Sequence, residues 1–267
     1  METLYIFDID GVLTNPDTKV PNTKILHFMA EELNKGWHVA IATGRSSVWV
    51  QQHILPLLSK DLQGDHLLDN LFVSCEKGAV TITFSKSIPN VEIDTLYHIP
   101  HEIQEIIKEA INGMEGVFFD PDKKTMVSVE IEGGSDTQKV SAEKNILHEL
   151  EEWVQDHIIP EFPDVHMDKS EISMDIQNKH IDKRIASEKL LDFLKRRNIK
   201  PTSFVAFGDS PTDATIAEKI VQEEGKATFV YVGKQPLLRD YAFPVIHPAN
   251  GSYFDDAVVQ VLQSLQE

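Results

Sequence analysis

Five short segments of this chain are apolar without interruption: Leu4 to Phe7, Val39 to Ala42, Leu71 to Val73, Phe204 to Phe207 and Phe229 to Val232. A strand with one wet face alternates polar and apolar residues, whereas a strand covered on both faces has no reason to. Such runs therefore suit the interior of a parallel sheet. Helical patterns fall between them. Ile25, Met29 and Leu33 recur at four-residue spacing, and Ile185, Ala186, Leu190, Leu191 and Leu194 form a second apolar face. Strand and helix alternate in this way through roughly the first 75 and the last 85 residues. That alternation predicts an α/β fold with a doubly wound parallel-sheet core.

The middle of the chain has a different period. Val127, Val129 and Ile131 alternate with Ser128 and Glu130, and Ile172, Met174 and Ile176 alternate with Ser173, Asp175 and Gln177. Period two implies strands with one wet face, as in an antiparallel sheet. Helices are expected from about His101 to Asn112 and from Lys139 to His157, where Leu147, Leu150 and Val154 share a face. Gly133-Gly134-Ser135 reads as a loop. The segment as a whole reads as an α+β module inserted at residues 83–181, leaving a core made of 1–82 and 182–267.

Composition narrows the partners. The 267 residues carry 25 basic and 43 acidic side chains, a formal charge of −18. Such a surface repels nucleic acid and anionic membranes. A small phosphorylated metabolite remains admissible, because a few basic groups or a divalent cation reverse the field locally. The single cysteine, Cys75, excludes an intramolecular disulfide and a multi-cysteine metal site, and its apolar neighbours predict a buried thiol. The opening METLYIFDID lacks the flank and apolar stretch of a secretory signal, and no segment has the length of a membrane span. A cytoplasmic enzyme is the expectation. Oligomeric state has no signature in the sequence.

Chemistry-bearing residues follow the apolar runs. Asp8-Ile9-Asp10-Gly11-Val12-Leu13-Thr14 comes directly after the first. Ligands of an open parallel sheet bind at the carboxyl ends of its strands. Two carboxylates there can divide the work, one attacking while the other moves a proton. Thr43-Gly44-Arg45 follows the second run and offers a hydroxyl and a backbone N–H to orient a phosphoryl group. Phe207-Gly208-Asp209-Ser210-Pro211-Thr212-Asp213 puts two carboxylates four residues apart, a set suited to a hard cation. Lys183 opens the helix that runs into Leu190, at the end where the dipole disfavours a cation; a phosphate and a carboxylate would hold it there, and taken alone it reads as a surface lysine.

In this order the four segments resemble the four motifs of the haloacid dehalogenase superfamily. The resemblance implies a Rossmann-like core. It casts Asp8 as nucleophile, Asp10 as general acid/base, Thr43 as the phosphate-orienting hydroxyl and Lys183 as the charge-neutralising lysine. Asp209 falls on a metal-binding carboxylate and Asp213 on the acidic residue supporting it. The second aspartate, Asp10, is what the phosphatases and mutases of the superfamily carry and its dehalogenases lack. An insert between the second and third motifs resembles the C2-type cap of the Cof-type, sucrose-phosphate and trehalose-phosphate phosphatases and the phosphomannomutases. Ser173 to Lys183 resembles the passage by which such caps return to the core. One departure is Glu76-Lys77-Gly78-Ala79, where many relatives have Asn-Gly-Ala.

The implied reaction is a two-step displacement on a sugar or sugar-acid phosphate. Asp8 attacks phosphorus, Asp10 protonates the leaving alcohol, and Asp10 then activates the water that hydrolyses the aspartyl-phosphate. The implied cofactor is Mg²⁺, held by Asp8, Asp209 and the Asp10 carbonyl, with Asp213 in support. Gly44 N–H would bind phosphate oxygens alongside Thr43 and Lys183, and a cap would close over the site. Arg45 and Arg184, neighbours of motif residues, are candidates to reach substrate or cap, or to serve the fold. A phosphosugar mutase shares every core motif, and a catalytically silent binding protein is the alternative outside enzymes.

Overall fold

The computed structural model describes residues 2–131, 137–169 and 173–266. The chain forms two compact units, one of Met1–Glu92 with Asp182–Glu267 and the other of Ile93–Ile181.

The first unit is built on one sheet. Its strands are β1 (Thr3–Phe7), β2 (Val39–Ala42), β3 (Leu71–Cys75), β4 (Val80–Ser85), β5 (Ile88–Ile93), β10 (Ser203–Gly208), β11 (Thr228–Tyr231) and β12 (Val245–Ile246), in the order β12-β11-β10-β1-β2-β3-β4-β5. From β12 to β3 all pairs are parallel, with Phe7 opposite both Phe207 and Ile41, and β4 returns antiparallel to β3. Helices cover both faces of the central strands, which is why β1, β2, β3, β10 and β11 are mainly apolar, whereas β5 at the edge is exposed along its length. On one face α6 (Lys183–Arg196) and α7 (Ala214–Glu224) pack Ala186, Leu190, Leu194, Ile216 and Ile220 onto Leu4, Ile6, Ala40 and Phe229. On the other, α1 (Thr23–Asn34) and α8 (Phe254–Gln266) pack Ile25, Met29, Leu33, Val258 and Leu262 around Phe7, Ile41 and Val73. Two short helices, α2 (Ser47–His53) and α3 (Leu55–Leu58), follow β2. Side-chain caps fix the starts of three helices: Asn22 accepts from Lys24 N–H, Ser46 from Trp49 N–H and Asp182 from Arg184 N–H. This is the doubly wound α/β core that the apolar runs imply, and Cys75 is buried within it.

The second unit has its own antiparallel sheet of β6 (Val117–Phe119), β7 (Val127–Ile131), β8 (Val165–Lys169) and β9 (Ser173–Asn178), ordered β6-β7-β9-β8. Its helices α4 (His101–Ala110) and α5 (Thr137–His157) bury Ile103, Ile107, Leu147, Leu150 and Val154 against Val127, Val129, Met174 and Ile176. The alternation separates apolar from polar side chains as the period requires. Ser128 and Gln177 are nevertheless buried, with Ser128 Oγ donating to the Asp175 carboxylate at 2.7 Å and Gln177 Nε2 to the Ile181 carbonyl at 3.4 Å. Ile172 and the Gly133-Gly134-Ser135 segment lie outside the described residues.

At the amino end of the insert the structure and the sequence boundary differ. The insert was expected from residue 83, but β4 and β5 extend the first sheet, and the second unit begins at Ile93. The turn between these strands, Lys86-Ser87, has φ of +53° and +67° without a glycine or asparagine to announce it. The Asp69 carboxylate stabilises it instead, accepting the Lys86 and Ser87 N–H groups at 2.9 Å each. A hairpin turn fixed by a carboxylate seventeen residues away leaves no local signature.

Candidate active site

Strand order brings the motifs together. β10, β1 and β2 are adjacent and parallel, so the residues that leave their carboxyl ends share one edge of the sheet. Asp8 N–H still donates to the Phe207 carbonyl at 3.1 Å, which continues the β1–β10 pairing up to the candidate nucleophile. The chain then turns sharply. The Ile9 carbonyl accepts from Leu13 N–H and Thr14 N–H, both at 2.9 Å, and Ile9 and Leu13 are buried anchors. Gly11 makes the turn possible, since its φ is +71° and a Cβ there would lie 2.3 Å from Asp209 Oδ2.

Lys183 sits between two carboxylates. Its Nζ lies 2.9 Å from Asp8 Oδ2 and 2.5 Å from Asp213 Oδ1. The other Asp213 oxygen accepts from Ser210 N–H at 2.9 Å and Ser210 Oγ at 3.0 Å. Asp8 and Asp213 are buried, which makes these contacts strong and the loss of any partner costly. Burial alone would lower the lysine's pKa, but the Asp213 and Asp8 charges outweigh it and raise it well above its ordinary value. Asp8 is pushed up, first by burial and then by Asp213, Asp209 and Asp10, with Lys183 opposing. Burial and the neighbouring Asp213 push Asp209 up to about 7, again against Lys183.

Asp10 is in a different environment. Arg45 grips it with two parallel bonds, Nε to Oδ2 at 2.9 Å and an Nη to Oδ1 at 2.8 Å. Lys19 Nζ approaches the same carboxylate at 4.0 Å. Burial would raise the Asp10 pKa, yet the Arg45 bonds and charge, with Lys19 and Lys183 behind them, hold it below its ordinary value. Thr43 is buried beside this pair, its hydroxyl accepting from Arg45 N–H at 3.0 Å. Two carboxylates two residues apart are thus separated in character, Asp8 raised and Asp10 lowered.

The donor set fits a hard divalent cation. Asp8, Asp209 and Asp213 each offer a carboxylate oxygen, and the three oxygens lie within 4.8 Å of one another. All are oxygen donors, and a single lysine offsets them, which leaves an excess of negative charge that Mg²⁺ would neutralise. The loops close tightly around this set: a Cβ at Gly233 would fall 1.9 Å from the Asp209 carbonyl oxygen, and one at Gly208 would fall 2.2 Å from Asp213 Cβ. The Asp10 carboxylate is turned onto Arg45 and stands outside the three.

Of the sequence candidates, Asp8, Asp209, Asp213 and Lys183 therefore converge, and Asp10, Thr43 and Arg45 form an adjoining group. Arg184 joins neither. Its exposed guanidinium pairs with Asp182 at 3.3 Å and Glu218 at 3.7 Å, in the direction of α7. Sequence reasoning missed Lys19, whose loop is tied down by Asn15 and Asn22 donating to the buried Asp255. Nothing in the spacing signals that tie, because Asp255 is 240 residues from Asn15.

The chain matches the model of the haloacid dehalogenase-like hydrolases over residues 5–220. It belongs to that family. No curated protein matches its sequence. Among solved structures it resembles the C-terminal domain of trehalose-6-phosphate phosphatase from C. albicans (TM-score 0.66, 15% identity, covering 99% of this chain and 92% of that one). It also resembles a Thermotoga maritima protein (TM-score 0.61, 20% identity, 99% and 97% covered) and the sucrose-phosphatase of Synechocystis in complex with sucrose and phosphate (TM-score 0.56, 16% identity, 100% and 99% covered). At these identities the likeness is one of fold.

Proposed function

We propose that this chain is a Mg²⁺-dependent phosphatase of small phosphorylated metabolites, working through an aspartyl-phosphate on Asp8. The observation that carries the reading is the contrast at the end of β1. Asp8 faces Lys183 and the acidic pair Asp209 and Asp213, while Asp10 faces Arg45. Asp8 would attack phosphorus, and Asp10 would give a proton to the departing alkoxide and later take one from water. An arriving phosphoryl dianion competes for Arg45 and raises the proton affinity of Asp10, which suits it to act first as an acid. Thr43 Oγ and the Gly44 N–H orient the phosphoryl oxygens, and Lys183 stabilises charge on them. Asp8 and Asp209 would hold Mg²⁺, with the Asp10 carbonyl, and Asp213 would keep Lys183 and the Ser210 turn in place. When bound, the ion supplies charge neutralisation that lets an anionic nucleophile approach an anionic phosphate.

A sugar or sugar-acid phosphate is the favoured substrate class, supported by the trehalose- and sucrose-phosphate phosphatases among the structural relatives. The test is phosphate release from a panel of phosphorylated metabolites, with Mg²⁺ and with chelator, for wild type and Asp8→Asn. The expected result is metal-dependent release that is lost in the variant. Normal turnover by Asp8→Asn would end this reading.

A further inference from the structure

The turn from β3 to β4, Glu76-Lys77-Gly78, has three successive positive φ angles of +49°, +56° and +114°. Glycine adopts such values freely, whereas a residue with a Cβ is disfavoured there and persists only when its surroundings hold it. The surroundings are specific. Glu76 N–H donates to the Arg45 carbonyl at 3.1 Å and Lys77 N–H to the Thr43 carbonyl at 2.9 Å. Gly78 is pressed against α6, where a Cβ would lie 2.7 Å from the Ala186 nitrogen and 2.7 Å from Ile185 Cβ. The turn is therefore fastened on one side to Thr43-Gly44-Arg45 and on the other to the helix that begins with Lys183.

This conformation directs the Lys77 side chain across Gly44. Its Cε lies 3.8 Å from the place a Cβ on Gly44 would occupy. The ammonium is one C–N bond farther along, about 1.5 Å, and so stays within roughly 5.3 Å of that point. Charge gives the position a use. Asp8, Asp10, Asp209 and Asp213 are met by Lys183 and Arg45, with Lys19 at 4.0 Å from Asp10, and a divalent cation would bring the sum to about +1. A phosphoryl group then brings a charge near −2, which leaves about one negative charge in that set without an offset. Asp209 and Asp213 follow β10, on one flank of Asp8, whereas Gly44 and Lys77 follow β2 and β3, on the other.

We infer that Lys77 is a second phosphoryl-binding cation, donating to a non-bridging oxygen from the Gly44 side while Lys183 does so from the α6 side. The inference rests on the phosphatase reading above. It is tested with wild type, Lys77→Asn and Lys77→Arg in the presence of Mg²⁺. Asparagine tolerates the left-handed region, so it removes the ammonium and keeps the turn, and arginine restores a cation. The readouts are inhibition by inorganic phosphate, kcat/KM on p-nitrophenyl phosphate and on the best metabolite ester, and thermal midpoint. Lys77→Asn should weaken phosphate inhibition roughly 10- to 100-fold and lower kcat/KM by a similar factor on every ester, at an unchanged midpoint. Lys77→Arg should recover most of both. Unchanged phosphate affinity in Lys77→Asn overturns the assignment, also where only esters with an acidic leaving group suffer. A wild type that neither hydrolyses esters nor binds phosphate overturns the phosphatase reading itself.

Discussion

Removing a charge from the acidic cluster should stabilise the metal-free protein, and Asp209→Asn is the substitution that shows it. Burial and Asp213 raise the Asp209 carboxyl from its ordinary 3.8 to about 7. The folded protein thus keeps a proton that the unfolded chain has lost. Stability from this source is fully present below pH 4, declines as pH rises from about 4 to about 7, and is flat above that. At about 1.36 kcal/mol per pH unit the displacement amounts to about 4 kcal/mol. Asp209 is partly exposed, and water screening brings the figure down to on the order of 2 kcal/mol. An amide of the same shape escapes the loss. In chelator at pH 8 the Asp209→Asn protein should melt roughly 4–8 °C above wild type, and the gap should fall to about 40% of that near pH 5. Saturating Mg²⁺ should reverse the order, because wild type gains about 2.7 kcal/mol at 100 times the dissociation constant and the variant gains less. Thermal melts from pH 5 to 8.5, with chelator and with Mg²⁺, measure all of this. A variant less stable than wild type at pH 8 in chelator, or a gap independent of pH, would show that the cluster's charge is already compensated.

Other perturbations separate the remaining roles. Lys183→Met leaves Asp8 and Asp213 buried without their cation and should cost about 3–5 kcal/mol in urea unfolding; a loss under 1 kcal/mol would mean that the carboxylates relax to water. Gly208→Ala drives a Cβ into Asp213 and should cost about 1–3 kcal/mol, with weaker Mg²⁺ binding by calorimetry; unaltered metal affinity would show that Asp213 can yield without consequence. Arg45→Gln releases the clamp that depresses Asp10. A depressed carboxyl stabilises the fold above its unfolded pKa and ceases to as pH falls through its folded one, so the variant should lose stability at pH 7 but hardly any at pH 3. An equal loss at both pH values would assign Arg45 a packing role instead. Asp69→Ala removes the acceptor of two turn N–H groups and should speed amide exchange across residues 80–93 while leaving β1 and β10 protected; unaltered exchange there would deny Asp69 its part in the turn.

The sequence by itself determined the five central strands of the sheet and the edge on which the chemistry lies. Burial on both faces shows in the unbroken apolar runs of β1, β2, β3, β10 and β11, and a motif directly after such a run must sit at a strand's carboxyl end. The shared edge of Asp8, Asp10, Thr43, Asp209 and Asp213 was legible for that reason, whereas Lys183, which alone reads as a surface lysine, was singled out by its resemblance to a family motif. Tertiary structure decided the partnerships. Arg45 lies 35 residues from the carboxylate it clamps, and Lys183 lies 30 from Asp213, distances that only strand order and register close. Arg184, adjacent to Lys183 in sequence, leaves the helix on another side and pairs with Glu218. The same holds for backbone sign. Lys86, Ser87, Glu76 and Lys77 take positive φ because Asp69, Arg45 and Thr43 meet their N–H groups, not because of what they are. Periodicity records whether a face is covered, since that is repeated residue by residue; which side chain meets which is settled once, by the fold, and leaves no period to read.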